Sequence, residues 1–118
     1  MKFDLDTMPT NLDEAVNQIL NSLDDHEEIE AMKDPVGLHF GFGMWLRNNW
    51  SLWDRETHLV QWFIKNLGIV HADDISSTIL EGVATKLRGE EFDPASHVNY
   101  YKEYWRANGL DPATMERI

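Results

Sequence analysis

Hydrophobic positions in this chain recur every three or four residues in several separate stretches. The clearest stripe runs from Leu12 to Leu23, and polar side chains fill the positions between. This spacing places the apolar side chains on one face of an α-helix. Similar stripes follow over 59–67, 75–87 and 98–105. The pattern predicts an all-α fold: a compact, single-domain bundle of about five main helices over residues 1–118.

The stretch 38–53 differs, because its apolar residues lie on nearly every helical face and Arg47 is its one charge. Such a stretch is typical of a helix buried on several sides. It contains Gly41 and Gly43, each of which costs a helix interior about 1 kcal/mol relative to alanine. We expect tight packing at both glycines to offset that cost, and we place this helix at the centre of the bundle. A strand fits less well, because alternation would put both glycines on one face with His39.

Residues that favour helix ends punctuate the stripes. The expected helix starts are Thr10, Asp24-Asp25, Asp54, His71-Ala72 and Asp93-Pro94, and the expected helix ends are Asp34-Pro35, Gly68, Gly89 and Gly109. Leu110-Asp111-Pro112 predicts one more short helix, and residues 1–9 are expected to form an extended lead-in.

Composition limits the cellular context. The chain has no cysteine, which excludes disulfides and cysteine-based zinc sites and fits a reducing cytoplasm. No apolar run approaches the length of a transmembrane helix, and the first ten residues carry acids where a signal peptide needs an apolar stretch. We therefore expect a cytoplasmic protein.

The net charge of −11 is concentrated near the beginning of the chain. Residues 1–34 carry −8, residues 35–71 carry +1 and residues 72–118 carry −4. Such a surface disfavours nucleic acid and anionic membranes and favours a basic protein partner. A candidate acidic docking surface comprises Asp24, Asp25, Glu27, Glu28 and Glu30. The alternative is a solvated face that only keeps the protein soluble.

No catalytic signature is present. The sequence lacks H-E-x-x-H, G-x-S-x-G and phosphate-binding loop motifs. His71-x-Asp73-Asp74 could supply metal ligands, but helix capping explains it adequately. The sequence therefore predicts a protein that is not an enzyme and needs no cofactor or metal.

His39, Gly43 and Arg47 share one helical face at positions i, i+4 and i+8. Gly43 would leave a notch in which the Arg47 guanidinium could bind a carboxylate or phosphate, with His39 titrating beside it. The alternative is an internal ion pair from Arg47 to Asp73 or Asp74. Among the five tryptophans, Trp50 or Trp53 is expected to stay partly exposed near the turn, as in an interface hot spot.

The run L-H-F-G-F-G-M-W-L-R-N-N-W-S-L-W, followed by H-A-D-D-I-S, resembles a family of small bacterial proteins classed as a domain of unknown function. The resemblance covers about residues 9–87 and leaves 90–118 as a helical extension. The residues that carry it are His39, Gly41, Gly43, Arg47, Asn48, Leu52, Trp53, His71, Asp73, Asp74 and Ser76. Ala72 replaces the proline of the family pattern. The resemblance implies no activity, but it implies that a polar cluster meets in space, as a partner-binding site or as a structural network: His39, Arg47, Asn48, Trp53, His71, Asp73 and Asp74.

Three functional hypotheses follow. The first is a protein-binding module, most concretely an immunity- or antitoxin-like protein that neutralises a basic effector such as a toxin. The second is a small-molecule-binding or catalytic domain that uses the cluster of His39, Arg47, His71 and Asp74. The third is a structural or oligomerisation module.

Overall fold

The computed structural model describes residue 2 and residues 6–118, so part of the expected lead-in over 1–9 lies outside the described residues. Eight helical segments form in this part of the chain. They are α1 (Leu12–Ser22), α2 (His26–Met32), α3 (Pro35–Leu38), α4 (Phe42–Asn49), α5 (His58–Leu67), α6 (Ala72–Leu87), α7 (Pro94–His97) and α8 (Asn99–Ala107). The predicted all-α class is confirmed. None of these helices is long and apolar enough to cross a membrane.

Helix α6 is the longest segment, and α1, α2, α3, α4 and α7 all contact it. Its buried side chains reach from Ala72 to Thr85. Polar groups on this helix are satisfied locally: Thr78 donates to the carbonyl of Asp74 at 2.7 Å, and Thr85 donates to that of Glu81 at 2.6 Å. Such bonds to the preceding turn let small hydroxyl residues enter a helix interior without an unsatisfied donor.

The stretch 38–53 does not form one continuous helix. Helix α3 ends at Leu38, a turn follows, and α4 begins at Phe42. Gly41 is the exposed residue before α4, and a Cβ added there would meet nothing within 4 Å. The expectation of tight packing at Gly41 is therefore wrong. It is confirmed at Gly43, where a Cβ would lie 3.1 Å from Nη1 of Arg47 and 3.4 Å from the carbonyl oxygen of Leu38.

Several predicted helix ends are confirmed. Asp25, His71 and Asp93 each accept a hydrogen bond from a backbone N–H in the first turn of the helix that follows. Gly68 ends α5 with a left-handed backbone of φ 70°. At these positions the capping chemistry alone locates the boundary.

Two other starts are shifted. Asn11, not Thr10, caps α1, because its side chain accepts from the backbone N–H of Glu14 at 2.8 Å. Thr10 instead donates to the Glu14 carboxylate.

Asp54 forms a turn by accepting from the N–H of Glu56, and Thr57 is the cap of α5.

The expected last helix does not form. Leu110 and Arg117 form an isolated antiparallel bridge, and Asp111 accepts from the N–H of Ala113 in a tight turn. This segment docks on the domain through a hydrogen bond from the N–H of Val70 to the carbonyl of Pro112 at 3.1 Å. The segment after Leu87 therefore packs against the rest of the domain, and its Val98 is fully buried.

Candidate functional site

Arg47 lies at the centre of a buried polar network. Arg47 is 5 % exposed, and its Nε lies 3.3 Å from Oδ1 of Asp73. Nη1 donates to Oγ of Ser76 at 2.9 Å, and Nη2 donates to the carbonyl of His39 at 3.3 Å. The ion pair to Asp73, one of the two expected alternatives, is therefore present. Arg47 joins α4 to α6 and to the turn after α3, so its role in the structure is to hold these three segments together.

The notch left by Gly43 explains how the guanidinium reaches this position. A Cβ added at Gly43 would lie 3.1 Å from Nη1, so a side chain on residue 43 would crowd the guanidinium. The notch is thus filled by Arg47 itself and offers no space for a ligand.

Asp74, next along α6, has different surroundings. It is 8 % exposed, and its Oδ2 accepts a hydrogen bond from the indole Nε1 of Trp105 at 2.7 Å. No described residue donates to its Oδ1. The ring of His71 stacks on Trp105 with centroids 5.2 Å apart, and Trp53 meets His71 edge to face at 5.7 Å. The buried carboxylate therefore lies beside Trp105, at one end of a row of ring contacts that runs through His71 to Trp53.

A groove of about 370 Å³ opens beside this carboxylate, between the start of α6 and the side of α8. We call it the aromatic–acidic groove. Its lining residues are His39, His71, Asp73, Asp74, Ser77, Tyr100, Tyr101, Tyr104 and Trp105.

A second groove of about 320 Å³ continues from the first, because both share His39, Ser77 and Tyr101. We call it the side groove. Its outer edge carries Phe40, which is 80 % exposed, and Val36, which is also exposed. The two grooves form one continuous surface. Phe40 and Val36 lie on the side groove together with the carboxylate of Glu81, and Asp73 and Asp74 line the aromatic–acidic groove.

Hydrogen bonds fix the residues where the grooves meet. Nδ1 of His39 lies 3.2 Å from Oγ of Ser77, and Nε2 of His97 lies 3.1 Å from the hydroxyl of Tyr101. These contacts tie α6 to the turn after α3, and α7 to α8.

Burial shifts the pKa values of groups around the grooves. It raises the pKa of Asp74 above its usual range, an effect that the hydrogen bond from Trp105 and the neighbouring His71 only partly oppose. Burial, with Asp74 nearby, raises the pKa of Tyr101 to about 12. Burial also lowers the pKa of His97. Tyr101 and His97 are therefore neutral near pH 7.

Of the residues predicted to form the polar cluster, His39, His71, Asp73 and Asp74 line the groove and Arg47 lies beneath it. Trp53 lines neither groove, but it is 60 % exposed and meets the groove residue His71 edge to face, whereas Trp50 is fully buried. Asn48 is exposed on α4 and lines neither groove.

The predicted acidic docking surface lies elsewhere, on and before α2. Several of its members have local partners: Asp25 accepts from the N–H of Glu28, and Oε2 of Glu28 accepts from the N–H of Asp24. Oε1 of Glu30 lies 2.9 Å from Nζ of Lys33. Capping and local pairing thus explain much of this acidic run, and none of these residues lines either groove.

Sequence reasoning missed the tyrosines and Trp105 as site residues. The signal was present, because Tyr100 and Tyr104, and Tyr101 and Trp105, are each four residues apart and so follow one another along α8. Periodicity alone assigned the inner pair to the core. Among the described residues, no group of three or more histidine or acidic side chains is arranged to hold a metal ion.

Comparison with known families places these features in context. A family model described as Domain of unknown function (DUF6794) matches residues 8–87. The chain belongs to this family. No curated protein and no solved structure matches the chain significantly. The DUF6794 segment contains the whole Arg47 network and the carboxylates of the groove, whereas the aromatic wall on α8 follows it in the chain.

Proposed function

We propose that this DUF6794 protein is a protein-binding module and that a basic partner binds across the aromatic–acidic groove and the side groove. The observation that carries the proposal is the cluster of exposed aromatic side chains around an acidic depression. Phe40, Tyr100 and Tyr104 are largely exposed where they line the grooves, and the exposed Trp53 meets the groove residue His71 edge to face. Large aromatic side chains are enriched in interface hot spots, where they supply most of the binding energy.

Charge supports the choice of a basic partner. The net charge of −11 would steer a cationic protein toward this molecule and speed its association. The acidic residues of α2 would add to this long-range attraction without forming part of the contact. The most concrete version of the proposal is an immunity- or antitoxin-like protein that covers the active surface of a basic effector.

The first experiment compares co-purified proteins from cells that express matched variants. Tyr100→Ala and Tyr104→Ala remove exposed rings that line the aromatic–acidic groove, and Met44→Ala removes an exposed apolar side chain that lies outside both grooves. We expect the wild type and the Met44 variant to retain the same basic protein and both tyrosine variants to lose it. Recovery of the same proteins with all variants would count against the groove as the binding surface.

A second experiment addresses the acidic surface and neutralisation. Glu27→Lys reverses a charge on α2 without removing any of the capping bonds described above. We expect it to slow association, and the effect to shrink as salt is added. If the captured partner arrests growth when expressed alone, co-expression of the wild type should restore growth and co-expression of the Tyr104 variant should not.

A small-molecule-binding or catalytic role is the second candidate. It is favoured by the contact between Ser77 and His39, because an imidazole within hydrogen-bond reach of a hydroxyl at the junction of two grooves can accept its proton. Screening the protein against small esters and metabolites, with Ser77→Ala as the matched variant, tests this role. Turnover or binding that Ser77→Ala abolishes would support it, and its absence across the screen would leave protein binding as the function.

A further inference from the structure

We propose that the aromatic–acidic groove holds the side-chain ammonium of one lysine of the partner, against Oδ1 of Asp74 and the rings of Tyr104 and Trp105. This inference rests on the proposed function, since it names the group of the partner that the groove recognises.

The first argument concerns the charge of Asp74. A buried carboxylate is costly unless a cation or several hydrogen bonds compensate it. Asp73 is paired with Arg47, but among the described residues Asp74 has a neutral indole as its side-chain partner and no cation within ion-pair distance. The dipole at the start of α6 offsets part of the charge, being equivalent to about half an elementary charge. Asp74 lines the groove, and its Oδ1 has no donor among the described residues.

The second argument concerns the walls. Tyr100, Tyr101, Tyr104 and Trp105 line the same groove, and His71 covers one face of Trp105. Aromatic faces attract organic cations through the negative charge of their π-systems. A carboxylate together with aromatic faces therefore selects a positively charged group that also carries apolar carbon, and a lysine side chain has both.

The third argument separates lysine from arginine. Arginine binds carboxylates best through two parallel N–H bonds to both oxygens of one group. Here Oδ2 of Asp74 is occupied by Trp105 and Oδ1 of Asp73 by Arg47. Neither carboxylate has both oxygens free, which removes the advantage of the guanidinium fork. A compact ammonium needs one oxygen at a time.

The test uses the full chain and three short blocked peptides that differ at one position: lysine, arginine or norleucine. The readout is the indole N–H signal of Trp105 in NMR spectra, assigned by its disappearance in Trp105→Phe. We expect the lysine peptide to shift this signal saturably, the arginine peptide to bind at least about threefold more weakly, and the norleucine peptide not to shift it.

Two variants locate the site. Asp74→Asn keeps an oxygen that accepts from Trp105 but removes the charge, and we expect at least about a tenfold loss of lysine-peptide affinity. Asp13→Asn removes the same charge from the first turn of α1, outside both grooves, and should leave affinity unchanged. Circular dichroism confirms that both variants are folded. Equal binding of the norleucine peptide, tighter binding of the arginine peptide, or full affinity in Asp74→Asn would each overturn the inference.

Methylammonium is the last probe, because a free amine could occupy the same groove. Binding tighter than that of the lysine peptide would assign the site to a small amine and overturn the partner lysine. The outcomes also separate this inference from the proposed function. Loss of partner capture in the two tyrosine variants without lysine-peptide binding refutes the lysine alone, whereas lysine-peptide binding through Asp74 with unchanged partner capture refutes the function.

Discussion

Replacing Arg47 by methionine tests whether the buried guanidinium holds the fold together. Methionine fills a similar volume but cannot donate the bonds to Ser76, to the His39 carbonyl or to Asp73. The short bond to Ser76 is charge-assisted and contributes about 1.5–3 kcal/mol. The pair with Asp73 adds about 0.2–1 kcal/mol, because the Asp73 side chain is 45 % exposed. Burying methionine in place of a charge offsets part of the loss.

We therefore expect Arg47→Met to lower the free energy of unfolding by about 2–3 kcal/mol. For a domain of this size that corresponds to a fall in Tm of roughly 8–15 °C. Urea unfolding followed by circular dichroism measures the change, and an unchanged slope with denaturant would show that the native state is intact.

Two matched variants make the expectation refutable. Asp73→Asn removes only the half-exposed partner, leaves an amide oxygen that can still accept from Arg47, and should cost less than about 1 kcal/mol. Arg47→Lys keeps the charge but not the fork of donors, so it should be nearly as destabilising as Arg47→Met. A loss below about 1 kcal/mol in Arg47→Met, or equal losses in Arg47→Met and Asp73→Asn, would refute the reasoning.

The remaining predictions use the same unfolding assay. Gly82→Ala should destabilise by about 1–3 kcal/mol despite its better helix propensity, because the new Cβ would lie 2.9 Å from Cγ2 of buried Val16. Gly41→Ala, where a Cβ meets nothing within 4 Å, should change stability by less than about 1 kcal/mol, and a larger loss there than at Gly82 would contradict the packing argument. Asp74→Asn should alter the pH profile of stability. Burial raises the pKa of Asp74, so between its ordinary value of 3.8 and the higher folded value the native protein keeps a proton that the unfolded chain has released. The free energy of unfolding of the wild type therefore falls, relative to that of Asp74→Asn, as pH rises through that interval. A free energy of unfolding that falls more in Asp74→Asn than in the wild type between acid and neutral pH would contradict this reasoning.

Much of the fold could be predicted because helix stripes and caps are local features. The stripe beginning at Leu12, the cap at His71 and the left-handed glycine at position 68 each depend on residues within one or two turns. The break at Gly41 could not be predicted in the same way. Because apolar residues lie on every helical face of this stretch, their spacing does not distinguish a helix from a turn there.

The C-terminal segment shows how competing local bonds decide a boundary. Asp111-Pro112 has the composition of a helix start, but the Asp111 side chain accepts from Ala113 and Met115 adopts a φ of +61°. A turn thus replaces the expected helix. A hydrogen bond from the N–H of Val70 to the carbonyl of Pro112 then holds this turn in place, and these two residues are far apart in the sequence.

The groove itself depends on contacts that sequence spacing does not reveal. Asp74 and Trp105 are 31 residues apart, yet their side chains share a hydrogen bond. The predicted polar cluster contained the groove residues up to Asp74 but none on α8, because the family resemblance covers only about residues 9–87. The α8 side of the groove required the position of α8 against α6.

That division has a consequence for substitutions in this protein. The groove carboxylates and the Arg47 network beneath them lie within residues 8–87, whereas the aromatic wall of the groove lies downstream, on α8. Substitutions at the exposed Tyr100 and Tyr104 would alter this wall without touching the Arg47 network. Such changes would leave in place the buried Val98 and the hydrogen bond between Trp105 and Asp74, which join this part of the chain to the rest of the domain.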